Sequence, residues 1–175
     1  MFNKLLEISQ SKYYWLGLMV FAVGLELSAL FYQYVLDYLP CVLCIHVRIW
    51  VFAIVVVAAI SLGLLKSISL QIVSQLMMTV ISLGLFERSY QLLGTERGFV
   101  FGDCNMESGL PFWFAVDKWL PAVFEVQAAC GYTPELFFTI TMSEALITLS
   151  VLLLLLSVTM LVALIVARYF KGLLQ

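Results

Sequence analysis

Four long runs of apolar residues divide the chain, and each approaches the roughly 20 residues that a helix needs to cross a bilayer. The predicted spans cover residues about 14–35, 43–65, 68–86 and 145–167. The third and fourth runs contain no charged residue. The pattern predicts an all-α membrane protein, built as a four-transmembrane-helix bundle in one integral membrane domain over residues 1–175.

The connections between these runs indicate how the helices are arranged. Spans one and two are joined by residues about 36–42, and spans two and three by the turn around Lys66. Such short connections force antiparallel neighbours, so each of these pairs is predicted to form a hairpin.

The long loop over residues about 87–144 is predicted to carry a short amphipathic helix lying in the membrane interface. Its apolar positions recur at helical spacing, and Pro121 is expected to bend it: Phe112, Val116, Trp119, Leu120 and Val123.

A cleaved signal peptide is the alternative interpretation of the first span. Its apolar run is longer than the roughly 7–15 residues typical of a signal-peptide core, and Glu26 interrupts it. We therefore expect the first span to be a membrane helix.

Composition and charge agree with this class of protein. Apolar and aromatic residues make up 63% of the chain and charged residues only 11%, well below the roughly 25% of a soluble domain. The net charge of −2 leaves no basic surplus for nucleic acid. Five cations cluster on the side that holds both termini, which predicts cytoplasmic termini and an outward-facing long loop: Lys4, Lys12, Lys66, Arg168 and Lys171.

All four cysteines fall on the predicted outer side. Cys41 and Cys44 stand at the start of span two, while Cys104 and Cys130 lie in the long loop. Because disulfides form in oxidising compartments, this one-sided placement indicates disulfide chemistry on the outer face.

The Cys41-x-x-Cys44 pair has three possible roles: a redox centre, half of a zinc site, or a structural disulfide. Zinc needs four ligands, whereas the other two cysteines are 26 positions apart and His46 is the sole histidine, so no metal is predicted. Pro40 fits the first turn of a helix, which would place both cysteines in the first turn of span two. There the helix dipole favours a thiolate, with Cys41 near water and Cys44 one turn deeper.

Arg48 and Glu26 are charged residues within predicted spans, where charge is costly. Helical geometry puts Arg48 on the same stripe as Cys41 and Cys44. Arg48 either snorkels to the headgroups or stabilises the Cys44 thiolate or an anionic reduced cofactor, and the shared stripe favours the second role. Glu26 lies at a similar depth, so it either shares an ion pair or polar pocket with Arg48 or is protonated and hydrogen-bonded to another span.

Cys104 and Cys130 bracket 25 residues. A bridge between them would stabilise the fold by roughly 3–4 kcal/mol in the chain-entropy model. The small residues that flank both cysteines equally suit a disulfide that moves and exchanges. The residues alone leave both interpretations open.

Taken together, these features closely resemble the disulfide bond formation protein B (DsbB) family, the quinone-coupled thiol oxidases of the bacterial inner membrane. The similarity covers almost the whole chain. It rests on Leu25-Glu26-Leu27, the run Pro40-Cys41-Val42-Leu43-Cys44-Ile45 with Arg48, the loop cysteines Cys104 and Cys130, and the stretch Val116-Asp117-Lys118-Trp119-Leu120-Pro121.

The resemblance implies a function and a set of site residues. The four cysteines would be catalytic, as the disulfides Cys41–Cys44 and Cys104–Cys130. The partner would be a periplasmic DsbA-like thioredoxin-fold oxidase, whose thiolate attacks Cys104. Electrons would pass to the Cys41–Cys44 pair, and Cys44 would deliver them to ubiquinone or menaquinone. Arg48 would assist at the cofactor, and Glu26 is a further candidate for binding it.

The sequence also departs from familiar members of that family. Val47 stands where an acidic residue is often found, and Gln91 where some relatives carry a histidine. Arg88 is expected to form a solvated pair with Glu87. The alternatives to the implied function are a paralogous thiol oxidase with a dedicated partner, or a non-enzymatic four-span scaffold with structural disulfides. Vitamin K epoxide reductase shares the chemistry, but its cysteine pair normally lies later in the chain.

Overall fold

The computed structural model describes residues 7–9, 11–63, 67–100, 109–131, 133–137 and 140–173. Four of its helices are long and apolar enough to cross a membrane: α1 (Lys12–Tyr34), α2 (Val42–Gly63), α3 (Ile68–Arg97) and α6 (Met142–Leu173). The chain is therefore a multi-pass membrane protein, and the predicted all-α class is confirmed.

The helices pack in the order in which their connections place them. Helix α1 packs on α2, α2 on α3, and α3 on α6, so both predicted hairpins are present. Buried apolar side chains from α1, α2 and α3 form the main core, among them Trp15, Ala22, Ile54, Met78 and Leu85.

Helix α3 is longer than its apolar run, which ends near residue 86. It continues to Arg97 and stops at Gly98, whose φ of 76° lies in the left-handed region that suits glycine. The N–H groups of Phe99 and Val100 then bond back to the Gly94 carbonyl at 3.0 and 3.1 Å. We call the end of the bundle where α1 and α3 finish and α2 and α6 begin the cysteine end.

Helices α3 and α6 meet along a line of small polar residues that we call the serine seam. The seam repeats every seven residues, as in coiled coils, and all its members are almost fully buried: Gln75, Ser82 and Ser89 on α3, and Ser143, Ser150 and Ser157 on α6. Small residues let membrane helices approach closely. The Gln75 amide also donates to the Ser157 carbonyl at 3.2 Å.

The long connection differs from the predicted single interfacial helix. It forms a 3-10 turn (Phe112–Phe114), then α4 (Val116–Trp119) and α5 (Pro121–Phe124). Leu120 separates the two helices with φ −133° and ψ 64°, because a proline disfavours helical backbone at the preceding residue. Trp119 and Leu120 are exposed on either side of this break, so the predicted positions do not lie on one continuous helix.

Two short strands that the sequence did not predict complete the fold. Strands β1 (Glu135–Phe137) and β2 (Ile140–Thr141) pair antiparallel immediately before α6. They bring the connection back to the cysteine end of the bundle.

The serine seam yields a test of packing. Replacing buried Ser150 with leucine should force α3 and α6 apart and lower the free energy of unfolding by about 1–3 kcal/mol. Thr159→Leu, at an exposed position of the same helix, is the control and should change it by less than about 0.5 kcal/mol. Unfolding in mixed SDS micelles measures the free energy of unfolding of both variants. If Ser150→Leu and Thr159→Leu lower it equally, the seam is not close-packed.

Candidate functional site

Cys41 is the N-cap of α2. Its carbonyl accepts the first helical hydrogen bond, from the Ile45 N–H at 3.0 Å. Its sulfur accepts a hydrogen bond from the Cys44 N–H at 3.3 Å, in the position that a serine or aspartate oxygen usually takes. Pro40 therefore precedes the helix and does not lie in its first turn as predicted.

The sulfur atoms of Cys41 and Cys44 lie 2.6 Å apart. No disulfide joins any two of Cys41, Cys44 and Cys130 in the described part of the chain. A disulfide requires about 2.05 Å between its sulfur atoms, so a small movement separates this pair from a bond. The predicted Cys41–Cys44 disulfide stays a prediction that this geometry favours.

Cys41 is covered by the long connection. The Pro40 carbonyl accepts hydrogen bonds from the N–H groups of Gln127 and Ala128 at 3.0 and 3.2 Å, and Cys41 forms a parallel bridge with Ala128. Only 2% of Cys41 is exposed. The expectation that Cys41 lies near water is wrong, because backbone hydrogen bonds hold residues 126–130 over it.

Cys130 meets the Cys41 sulfur under this cover. Its side chain is a hydrogen-bond partner of Cys41, and it packs on the apolar cluster of Cys41, Val42, Leu43 and Leu92. Cys130 lowers the pKa of the Cys41 thiol, but the Cys44 sulfur and burial raise it further, to about 12. Cys41 therefore keeps its proton at neutral pH when the pair is reduced.

Cys104 lies outside the described residues. Its predicted bridge to Cys130 and its catalytic role therefore remain predictions.

A polar anchor fixes the connection just after Cys130. The hydroxyl groups of Thr133 and Ser143 both donate to one carboxylate oxygen of Glu96, the first at 2.6 Å, and Arg97 forms an ion pair with Glu144. Thr133 and Ser143 are buried. These contacts tie the connection to the ends of α3 and α6, and no sequence pattern pointed to them.

Arg48 is buried in protein, with 6% of its surface exposed. Its Nη1 donates to the Gln33 side chain at 2.6 Å and to the Val123 carbonyl at 2.8 Å, and its Nη2 donates to the Ala29 carbonyl at 3.0 Å. The snorkelling interpretation is wrong, because these acceptors belong to α1 and α5. The guanidinium group thus joins α2 to both of them.

A cavity of about 470 Å³ opens among α1, α2, α6 and the connection. Cys44 lines it, whereas Cys41 and His46 do not. Its walls are mostly apolar, with Leu25, Leu146 and Leu149 among them. The two cysteines of the pair therefore face different surroundings: Cys41 meets Cys130, and Cys44 meets the cavity.

Glu26 and Arg48 share this cavity without forming an ion pair. Among the described residues the ion pair joins Arg97 with Glu144 instead. The Oε1 atom of Glu26 is shielded from solvent and has no hydrogen-bond partner in the described part of the chain. Both the predicted ion pair and a hydrogen bond from another span to this oxygen are absent, and the shared pocket agrees with the structure.

Val47 and Gln91, the two positions that depart from the family pattern, differ in their relation to the cavity. Val47 lines the cavity, but Gln91 does not. Gln91 instead accepts from Arg88 at 3.0 Å and donates to Glu87 at 3.2 Å, which replaces the expected direct Glu87–Arg88 pair.

The cavity is suited to an apolar ring with polar substituents. Its volume lies within the usual range for small-molecule sites, and its polar groups include Glu26 on α1 and Arg48 and Cys44 on α2. Within the described ranges, no cluster of three or more His, Cys, Asp or Glu side chains could hold a metal ion.

Comparison with known proteins agrees with this geometry. The profile of the family "Disulfide bond formation protein DsbB" matches residues 11–168. A disulfide bond formation protein B from Shewanella frigidimarina is 30% identical over 143 residues, which cover 81% of this chain and 85% of the relative. One from Pectobacterium atrosepticum is 34% identical over 155 residues, 85% of each chain.

The polar anchor yields a second test. Thr133→Val removes a hydrogen bond to a carboxylate, worth about 1.5–3 kcal/mol, and should loosen the segment over Cys41. Amide hydrogen exchange in residues 126–131, followed by mass spectrometry, should then speed up by about tenfold or more. Thr148→Val, which removes only a hydrogen bond within α6, is the control. Unchanged exchange in Thr133→Val would show that Glu96 does not hold this segment.

Proposed function

The chain belongs to the DsbB family, and from that premise we propose that it is a disulfide oxidoreductase of the bacterial inner membrane. It reoxidises a periplasmic DsbA-like thioredoxin-fold oxidase and passes the electrons to ubiquinone or menaquinone. The observation that carries the proposal is the order of the sulfur atoms: Cys130 contacts Cys41, Cys41 contacts Cys44, and Cys44 lines the cavity.

The first exchange takes place in the long connection. The partner's thiolate attacks Cys104 of a Cys104–Cys130 disulfide, and Cys130 leaves as a thiolate. The mixed disulfide is then resolved by the partner's second thiol, so the partner leaves oxidised and Cys104 and Cys130 are reduced. The net transfer at this stage is two electrons and two protons.

The second exchange uses the contact at the start of α2. Cys130 lies against the Cys41 sulfur, so its thiolate is placed to attack Cys41 of a Cys41–Cys44 disulfide. The S–S bond of the pair breaks, Cys44 is released, and Cys130 is bridged to Cys41. The Cys104 thiolate then attacks Cys130, which re-forms the Cys104–Cys130 disulfide and releases Cys41. A thiolate at Cys44 is stabilised by the N–H groups of the first turn of α2 and by the Arg48 cation.

The cavity beside Cys44 fits a quinone. Its apolar walls suit the ring, and Arg48 supplies a fixed positive charge. Bound there, ubiquinone or menaquinone would supply an acceptor for two electrons and two protons. The residues that would hold it are Cys44, Arg48 and Glu26.

The orientation of the bundle in the membrane follows from this scheme, because a periplasmic partner must reach the cysteines. The cysteine end faces the periplasm and both termini face the cytoplasm, in agreement with the clustered cations. The DsbA–DsbB–quinone route is the known system that keeps the bacterial periplasm oxidising.

The alternative of a four-span scaffold with structural disulfides is less compatible with the site. A structural bridge requires only a pair of cysteines, whereas three cysteines, Cys41, Cys44 and Cys130, converge here beside a cavity. A paralogous oxidase with a dedicated partner would share the site and differ only in the protein that it oxidises.

The loop cysteines yield a third test. Cys130→Ser leaves Cys104 as a free thiol that attacks the disulfide of oxidised DsbA-like oxidase. Because Cys130 is no longer there to displace the partner from Cys104, the mixed disulfide should accumulate and be visible on a non-reducing gel. The double variant Cys104→Ser, Cys130→Ser is the matched control and should trap nothing. An absence of the adduct in Cys130→Ser would contradict the proposed exchange at Cys104.

The cavity cysteine yields a fourth test. Purified protein with added quinone should show a visible charge-transfer absorption when Cys44 is a thiolate. Cys41→Ser leaves Cys44 unbridged and should retain the band, whereas Cys44→Ser should lose it and turn over at least about a hundredfold more slowly. A band that persists in Cys44→Ser would show that another residue meets the quinone.

A further inference from the structure

Glu26 is an acidic side chain held inside the membrane region without a partner for one of its oxygens. It lies on α1, lines the cavity, and its Oε1 atom has neither solvent contact nor a hydrogen bond within the described residues. A carboxylate in this position costs free energy because nothing replaces its lost hydration. The neutral, protonated carboxyl is the form that this environment favours.

Arg48 forms no ion pair with this acid among the described residues, although its positive charge acts on the carboxyl across the cavity. Its hydrogen bonds go to the Gln33 side chain and to the carbonyls of Ala29 and Val123. Ala29 lies three residues beyond Glu26 along α1, about one helical turn, or roughly 4–5 Å, nearer the cysteine end. Glu26 is therefore deeper in the bundle than the guanidinium group.

The other titratable or charged groups of the cavity lie towards its mouth or on α2. Tyr32 and the residues Asp37 and Tyr38 lie near the end of α1, and Cys44 and Arg48 come from α2. Helix α6 contributes Met142, Ala145, Leu146 and Leu149, and α3 contributes Leu92, none of which titrates. Glu26 is thus the titratable cavity residue that lies farthest from the cysteine end on α1.

The proposed reaction needs such a group. Oxidation of the Cys41–Cys44 dithiol to a disulfide releases two electrons and two protons, and reduction of a quinone to a quinol takes up the same number. Apolar walls exclude water from the reacting atoms, so at least one proton must be carried by a side chain.

On the basis of the proposed function, we propose that Glu26 is a catalytic proton-transfer residue. As two electrons leave through Cys44, the Glu26 carboxyl gives its proton to a ring oxygen of the quinone. The S–H bond of Cys41 breaks as the S–S bond of the pair forms, and that proton is released on the side of the connection that covers Cys41. Water that enters the cavity as the quinol leaves restores Glu26 to its neutral form. The second proton reaches the quinone from water at the cavity mouth.

Glu26→Gln is the main test, because glutamine keeps the size and polarity of the side chain but carries no transferable proton. We expect the charge-transfer band and the quinone Kd to stay within about twofold of wild type, while quinol formation slows by at least about a hundredfold. Glu26→Asp should recover part of the rate. Glu125→Gln, at an exposed position outside the cavity, should behave as wild type.

A spectroscopic readout tests the same proposal without turnover. The infrared spectrum of the quinone-free protein should contain a C=O band of a buried protonated carboxyl that is absent in Glu26→Gln and present in Glu125→Gln. In the oxidised-minus-reduced difference spectrum of the quinone-loaded protein, this band should change.

Each outcome separates this proposal from the one on which it rests. If wild-type protein neither forms the charge-transfer band nor reduces quinone, the proposed function fails. If wild-type protein does both and Glu26→Gln is equally fast, only the role of Glu26 is overturned. A large rise in the quinone Kd of both Glu26→Gln and Glu26→Asp, with an unchanged rate at saturating quinone, would limit Glu26 to holding the quinone and overturn proton transfer.

Discussion

The site depends on one hydrogen bond at the start of α2, from the Cys44 N–H to the Cys41 sulfur. A sulfur atom that caps a helix lies over its first turn, directly beside the side chain three positions later. Cys41 is thereby held under the connection with Cys130, while Cys44 faces the cavity. A four-residue motif thus separates a protein-facing sulfur from a cavity-facing one.

The buried Arg48 side chain holds three helices together around the two cysteines. Its guanidinium group joins α2 to α1 and α5, and in doing so it closes one wall of the cavity and holds the connection near the helix start. The Glu96 anchor acts at the opposite side, where it fixes the segment after Cys130 to α3 and α6. Arg48 and Glu96 therefore hold the connection before and after Cys130 in the sequence, and the Pro40 carbonyl holds it between these two points.

The sequence predicts those parts of the molecule that follow from local periodicity. The four long helices, both hairpins and the placement of Cys44 and Arg48 around one pocket all depend on apolar runs and on the 100° helical rotation. The burial of Cys41 and the role of Thr133 depend on contacts between residues far apart in the chain, which periodicity does not encode. The predicted interfacial helix is broken at Leu120, because Pro121 disfavours helical backbone at the residue before it. This effect is stronger than the helical spacing of the apolar residues. The serine seam, by contrast, was readable as a seven-residue repeat of small polar residues within apolar runs.

The different surroundings of Cys41 and Cys44 can be tested directly by comparing how fast each forms a disulfide with Cys130. In one variant Cys44 and Cys104 are serine, and in the other Cys41 and Cys104 are serine, so each keeps one cysteine of the pair together with Cys130. Mild oxidation with diamide, followed by mass spectrometry of the bridged peptides, gives the rate at which each bridge forms. Our account predicts that Cys41–Cys130 forms at least about tenfold faster than Cys44–Cys130. Equal rates, or a faster Cys44–Cys130 bridge, would contradict it.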